Sequence, residues 1–214
     1  MRLSRIENFV SSHGLVVLAS YPAGNVHRIL VGNAGSEFWP GFEKSAEFLD
    51  GNPDPLDRWS KRIGSVIAAE TGADVVFPFE GPPYPPFLNW ATESGQAHTS
   101  PISISIHGEY GLWHAYRFAL ELDELPECSV GMQHKISPCD DCELKPCLSA
   151  CPVSAFASGT YRVNECMDYV RANHQSACRT YGCDARRACP VRPDLQYQAD
   201  HAQFHMKAFL GQSL

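Results

Sequence analysis

Long hydrophobic runs are missing from this 214-residue chain. No uninterrupted apolar stretch approaches the roughly 18 residues that mark a membrane span, so no membrane partner is expected. The opening "MRLSRIENFVSSHG" spaces its apolar residues as a helix does and lacks the apolar core of a secretory signal, which makes the cytoplasm the expected compartment. Positive charge is scarce too. Seventeen Lys and Arg stand against twenty-four Asp and Glu, for a formal charge of -7, and a phosphate backbone is bound chiefly through clustered Lys and Arg. A nucleic-acid partner is therefore not expected. The small basic groups Arg58, Lys61, Arg62 and Arg186, Arg187 read as solvated helix faces or local ion pairs. Cysteine is absent from the first 127 residues, and tryptophan is absent after Trp113. That change of composition divides the chain into 1–127 and 128–214. A hydrophobic content of 44% is ordinary for a globular protein with a buried core.

What the second part contains is sulfur. All nine cysteines lie between Cys128 and Cys189, and "PCDDCELKPCLSACPVSAF" packs four of them as C-x2-C-x4-C-x3-C-P. A reducing cytosol disfavours a disulfide framework, so metal is the expected use. A zinc site typically takes two C-x2-4-C pairs separated by a dozen or more residues. The tight first motif, and the repeat of Cys-Pro at Cys189-Pro190, follow the two-cluster ferredoxin pattern instead. There, three clustered thiolates hold one [4Fe-4S] cluster and the Cys-Pro thiolate crosses to the other. Crossover assigns Cys139, Cys142, Cys147 and Cys189 to cluster one, and Cys151, Cys166, Cys178 and Cys183 to cluster two. Cys128 is left as a free linker thiol or, less simply, a ligand. The spacing departs from the common one in two places. Four residues separate Cys142 from Cys147, and Arg186 stands near where another cysteine is expected.

The first part reads as mixed α and β. "NPDPLDRWSKRIGSVIAAETG" predicts a helix, with Asp54 as N-cap, Pro55 at the first helical position, Asp57 in the first turn and Gly72 as the stop. "SEFWPGFEKSAEFLD" predicts a second amphipathic helix, while "RILVGN", "ADVVFPF" and "ISISIH" predict strands. "GLWHAYRFALELDELP", read as a strand, puts Leu112, His114, Tyr116, Phe118 and Leu120 on one face. Trp113, Ala115, Arg117 and Ala119 fall on the other. Small alanines around an arginine suit either an exposed face with a paired arginine or a seat for a planar ligand. "FPFEGPPYPPFLNW" is a stiff loop whose Tyr84, Phe87 and Trp90 either pack on the core or wall a flat cofactor. His107, ending "ISISIH", is a hydrogen-bonded structural residue or a ligand. Asp54, Asp57 and Glu80 have capping or surface explanations in preference to acid chemistry. In the tail "QADHAQFHMKAFL", a short helix would set His201 and His205 four apart.

Two resemblances follow. "SPISISIHGEYGLWHAYRFALEL" and "DPLDRW" resemble the CblC-type cobalamin-processing proteins over roughly residues 50–122. That resemblance implies a nitroreductase/CblC-like α/β sandwich, with Arg117 at a cobalamin pocket and Trp113 on the same strand. "HGEYGLW", Cys139 to Cys151, "VNECMDYVRAN" and "YGCDARRACP" resemble epoxyqueuosine reductase over about residues 100–190. This implies a bacterial-ferredoxin-like domain with two [4Fe-4S] clusters, fed by an electron donor the sequence does not identify. Together they lead us to expect an iron-sulfur corrinoid reductase, with Tyr84, Phe87, Trp90, His107, Trp113 and Arg117 around cobalamin. The alternatives are an FMN-binding iron-sulfur reductase and an electron carrier without corrinoid.

Overall fold

A computed structural model describes residues 3–123, 136–156 and 159–212. Cys128, and the proposed boundary at 127/128, lie outside the described residues. The chain is mixed α and β with small sheets. In chain order the elements to residue 99 are α1 (Leu3–Ser11), β1 (Val16–Ala23), β2 (Val26–Ala34), α2 (Trp39–Phe42), α3 (Ala46–Leu49), α4 (Pro55–Thr71), β3 (Asp74–Val76), α5 (Phe87–Glu93) and β4 (Ala97–Thr99). Then come β5 (Ser105–His107), β6 (His114–Leu122), α6 (Pro146–Ser149), α7 (Val163–Ala172), α8 (Ala177–Tyr181), α9 (Asp184–Arg187) and α10 (Ala199–Phe209).

Two compact units result. Residues 1–97 and 114–135 form the first, and 98–113 with 136–214 form the second. The division by composition placed residues 98–113 with the first part. The reason for the difference is packing: Ile102, Ile106 and Leu112 are buried in one cluster with Cys147, Cys151 and Cys189. The segment thus follows the sulfur core, although it contains no cysteine of its own.

In the first unit, an antiparallel sheet runs in the order β1-β2-β6-β3, and α1 and α4 pack on it. Helix α4 starts and stops where its sequence signals fall, but Asp54, expected as the N-cap, stands at φ 53 and makes no side-chain cap bond. Pro55 occupies the first turn, and Gly72 ends the helix at φ 64, a left-handed conformation that costs glycine little. Leu56, Trp59, Ile63 and Ile67 are its buried stripe. The other expected amphipathic helix is broken in two. Ser45 takes an extended conformation between α2 and α3, and its hydroxyl accepts from Phe48 N–H at 3.3 Å, so a cap interrupts what the periodicity alone continues. "ISISIH" is strand only from Ser105. Upstream, Ser103 sits at φ 60, inside a turn closed by Ser100 N–H to Ile104 O at 3.0 Å.

Two β-bulges face each other across β2. Val17 pairs Val31 and Ala19 pairs Leu30, leaving Leu18 as the extra residue. Phe118 pairs Val31 and Tyr116 pairs Gly32, leaving Arg117 extra. Gly32 lies between them. A Cβ there would meet the Ala115 carbonyl and approach Leu18 Cδ1 to 2.7 Å. Gly32→Ala is accordingly expected to cost about 1–3 kcal/mol through overpacking. Urea unfolding of the purified chain reads this as a lowered midpoint, and an unchanged midpoint contradicts the close approach.

Candidate iron-sulfur site and the first-unit pocket residues

The eight described cysteines are all free thiols, and the second unit arranges them in two groups. Cys139, Cys142, Cys147 and Cys189 line one small pocket, together with aliphatic side chains and prolines, among them Ile102, Leu112 and Pro190. The long gap between Cys142 and Cys147 is taken up by an outward turn. Leu144 is 91% exposed, and Lys145 stands at φ 40 just before Pro146 opens α6. That turn returns the chain inward so that Cys147 falls in the first turn of α6, where it is buried.

The second group is Cys151, Cys166, Cys178 and Cys183. Cys183 lies within electrostatic reach of Cys151 and Cys166, and Cys178 within reach of Cys183. Cys166 also packs beside Cys178 at the cluster formed by Val170 and Leu210. Backbone donors surround these sulfurs. Ala155 N–H donates to Cys151 Sγ at 3.3 Å, N–H groups of Arg186 and Ala185 bond Cys183, and that of Asp184 bonds Cys178. In the first group, Val191 N–H bonds Cys189, and Leu148 N–H bonds Cys147.

Burial dominates the acidity of these thiols. It pushes Cys139, Cys147, Cys166, Cys183 and Cys189 upward, and Cys178 to about 12. Neighbouring thiolates push the same way, and the N–H bonds pull down without reversing the balance. Among the described residues, no group of three or more His, Cys, Asp or Glu side chains is gathered to hold a metal ion. The sulfurs of the first group line a space instead of meeting at a point.

Arg186 stands near where the common spacing puts another cysteine, and it clamps the fold instead. Its Nε donates to Leu112 O at 2.9 Å, and its guanidinium lies 4.7 Å from the Trp113 ring and 4.4 Å from the Tyr197 ring. Trp113 and Tyr197 meet edge to face at 5.7 Å. The solvated face or local ion pair expected for Arg186 is thereby corrected: its guanidinium is taken up by the Leu112 carbonyl and two aromatic rings. Gly111 completes the junction, since at φ 59 a Cβ would come within 2.7 Å of Val191 O.

The residues expected around cobalamin divide between the units: Tyr84, Phe87, Trp90 and Arg117 in the first, His107 and Trp113 in the second. Tyr84 is exposed. Phe87 is buried, 4.9 Å from Trp90 and 6.4 Å from Tyr116. Trp90 carries the Arg28 guanidinium at 3.8 Å, and Arg28 pairs with Glu121 at 2.7 Å. His107 Nδ1 accepts from the N–H groups of Glu109 at 3.0 Å and Tyr110 at 3.3 Å, which closes the turn to Gly111.

The expected alternation along "GLWHAYRFALEL" is corrected by the bulge. Trp113 precedes β6, and Arg117 is the extra residue of the bulge beside Phe118. Arg117 is buried, donates to Asn33 Oδ1 at 3.1 Å, and has its guanidinium 5.6 Å from the Phe38 ring. It also draws down the Asp57 carboxyl, against a larger upward push from burial. Ala119 has no exposed surface, so the room expected above this strand is filled. On the same face Ala115 is half-buried. The basic residues of α4 are locally paired: Arg58 with Asp50, Lys61 with Glu80, both at 2.7 Å, and Arg62 with Glu47. On α10 the His201 and His205 Nε2 atoms are 3.1 Å apart, with Tyr197 stacked on His201 at 3.9 Å.

No family model matches the chain, and no curated protein matches it either.

Arg186→Ala leaves the buried Leu112 carbonyl without this donor and removes the stacked cation. It is expected to destabilise the chain by about 1–3 kcal/mol. Arg186→Lys should restore little, because a point charge reproduces neither the fork nor the stacking. Thermal unfolding of the three proteins measures both, and full recovery by lysine contradicts the clamp.

Proposed function

We propose that this chain is an iron-sulfur electron-transfer protein that holds two [4Fe-4S] clusters. Cys139, Cys142, Cys147 and Cys189 would bind one, and Cys151, Cys166, Cys178 and Cys183 the other. The observation that supports this reading is the sorting of the thiols. The four that a crossover ferredoxin pattern assigns to one cluster line one cavity. Of the other four, Cys183 lies within electrostatic reach of Cys151, Cys166 and Cys178.

The donor set fits the group chemically. Thiols raised by burial are poor nucleophiles and poor surface ligands, but a bound iron cluster supplies the positive charge that deprotonates them. The N–H groups aimed at Cys151, Cys178, Cys183, Cys147 and Cys189 then stabilise sulfur-centred negative charge. When bound, the clusters supply one-electron redox chemistry. The chain's part is to hold them, exclude water with an apolar shell and tune their potentials.

For the acceptor, the sequence resemblance favours a corrinoid, with cobalt reduction or upper-ligand removal as the reaction and FMN as the alternative. That is the reductase form of the proposal. An electron carrier without corrinoid keeps the cysteines and needs no such pocket.

Anaerobic reconstitution of the full chain should yield about eight irons and eight sulfides. Cys189→Ser and Cys166→Ser should each reduce this to about four, by loss of different clusters. About four irons or fewer in the unaltered chain, with zinc making up the difference, overturns the two-cluster reading. Adding hydroxocobalamin or FMN to the reconstituted protein, followed by gel filtration, decides the acceptor. Cobalamin co-eluting supports the corrinoid reductase, FMN co-eluting the flavin form, and neither co-eluting at micromolar protein the carrier.

A further inference from the structure

The sheet of the first unit buries an imidazole where three strands meet. His27 on β2 stands opposite Pro22 of β1 on one side and Leu122 of β6 on the other, and it is 1% exposed. Its Nε2 lies 2.7 Å from Ser20 Oγ on β1. Its Nδ1 is buried too and has no hydrogen-bond partner among the described residues. A neutral imidazole carries one N–H and a protonated one carries two. The single proton belongs on Nε2, donated to Ser20, because Nδ1 is then left as a lone pair and not as a buried N–H without an acceptor.

The histidine lies on the covered side of the sheet. The pairs His27–Leu122, Ile29–Leu120 and Val31–Phe118 follow in steps of two, which puts them on one face. Helix α4 packs on that face, since a Cβ on its Gly64 would come within 3.1 Å of the Phe118 ring. The charged groups of the surrounding elements are engaged elsewhere or face water. Arg28 and Glu121, the next pair in register, alternate to the other face and bond each other at 2.7 Å. Arg5 and Glu7 of α1, Glu70 of α4 and Asp74 of β3 are exposed. The remaining charges of α4 lie with Arg117, Asp50, Glu80 and Glu47. Burial therefore governs His27 and pushes its pKa below the ordinary 6.5.

We propose that His27 is an acid-sensitive latch of the first unit: neutral, it closes the β1–β2 end of the sheet through Ser20, and protonated it releases that end. A second N–H at Nδ1 would be buried against apolar neighbours with nothing to accept it. The unfolded strands take up the proton near pH 6.5, and the closed sheet takes it up only at lower pH. The latch is accordingly whole above about pH 6.5 and is lost as the pH falls from there through the folded value. One proton makes opening up to about tenfold more favourable per pH unit in that window. The device belongs to the first unit and does not rest on the iron-sulfur reading.

Hydrogen exchange of the full chain, read by mass spectrometry on peptides from residues 16–34 and expressed as protection over the intrinsic rate, follows this end of the sheet separately from the second unit. The unaltered chain should lose up to about tenfold in protection between about pH 6.5 and about pH 5.5. His27→Leu keeps an apolar side chain at the corner and removes the titration, so its protection should stay level over the same range. His13, also pushed down by burial and by Arg62, is present in both proteins and drops out of the comparison. Imidazole nitrogen resonances of the unaltered chain decide the matter if His27→Leu does not fold: His27 should hold its proton on Nε2 and remain neutral below pH 6.5. Level protection in the unaltered chain, an equally steep loss in His27→Leu, or a folded-state His27 ring that charges at pH 6.5 or above overturns the latch.

Discussion

Burying a thiol is inexpensive, but burying a thiolate is not, and the second unit is built on that difference. Its core cluster is made of cysteines and aliphatics together: Cys147, Cys151 and Cys189 share it with Ile102, Ile106, Leu112, Ala155 and Ala185. In such surroundings the charged form of sulfur is disfavoured, which is why the described shifts run upward. Only a strong local positive charge, with N–H donors completing the shell, makes ionised sulfur stable there. Three helices of this unit, α6, α8 and α9, have five residues or fewer, and helices that short owe their stability to packing more than to their own propensity.

That dependence explains the reach of the unit into the earlier part of the chain. A short cysteine-rich segment has little apolar surface of its own, so residues 98–113 supply the isoleucines and Leu112 that close the core. Arg186 then fastens the Leu112 carbonyl to α9 and stacks on Trp113 and Tyr197. The arginine that interrupts the cysteine spacing is thus part of the same construction. The first unit is conventional by comparison. Phe38, Trp39, Phe42 and Trp59 form an aromatic core with ring separations between 5.2 and 6.2 Å. Edge-to-face and tilted pairs of this kind add about 0.5–1.5 kcal/mol each beyond their buried area.

Arg117 shows how a strand can mislead. Alternation is a property of paired residues, and a bulge suspends it for one residue. Gly32 on the partner strand leaves space for the backbone to close there, so the arginine is set beside Phe118 instead of opposite it. The same strand pattern without Gly32 would describe a different surface.

The amino-acid order alone settled the features that depend on neighbours along the chain. These are the start and stop of α4 at Pro55 and Gly72 and the short helix that sets His201 and His205 four apart. Local steric rules suffice for these. Tertiary structure decided where Trp113 and residues 98–113 belong, how far the β6 face is filled, and that Arg186 fastens the Leu112 carbonyl. Each of those depends on a contact between residues far apart in sequence or on an irregularity in a partner strand, and neither leaves a periodic trace in the segment that bears it.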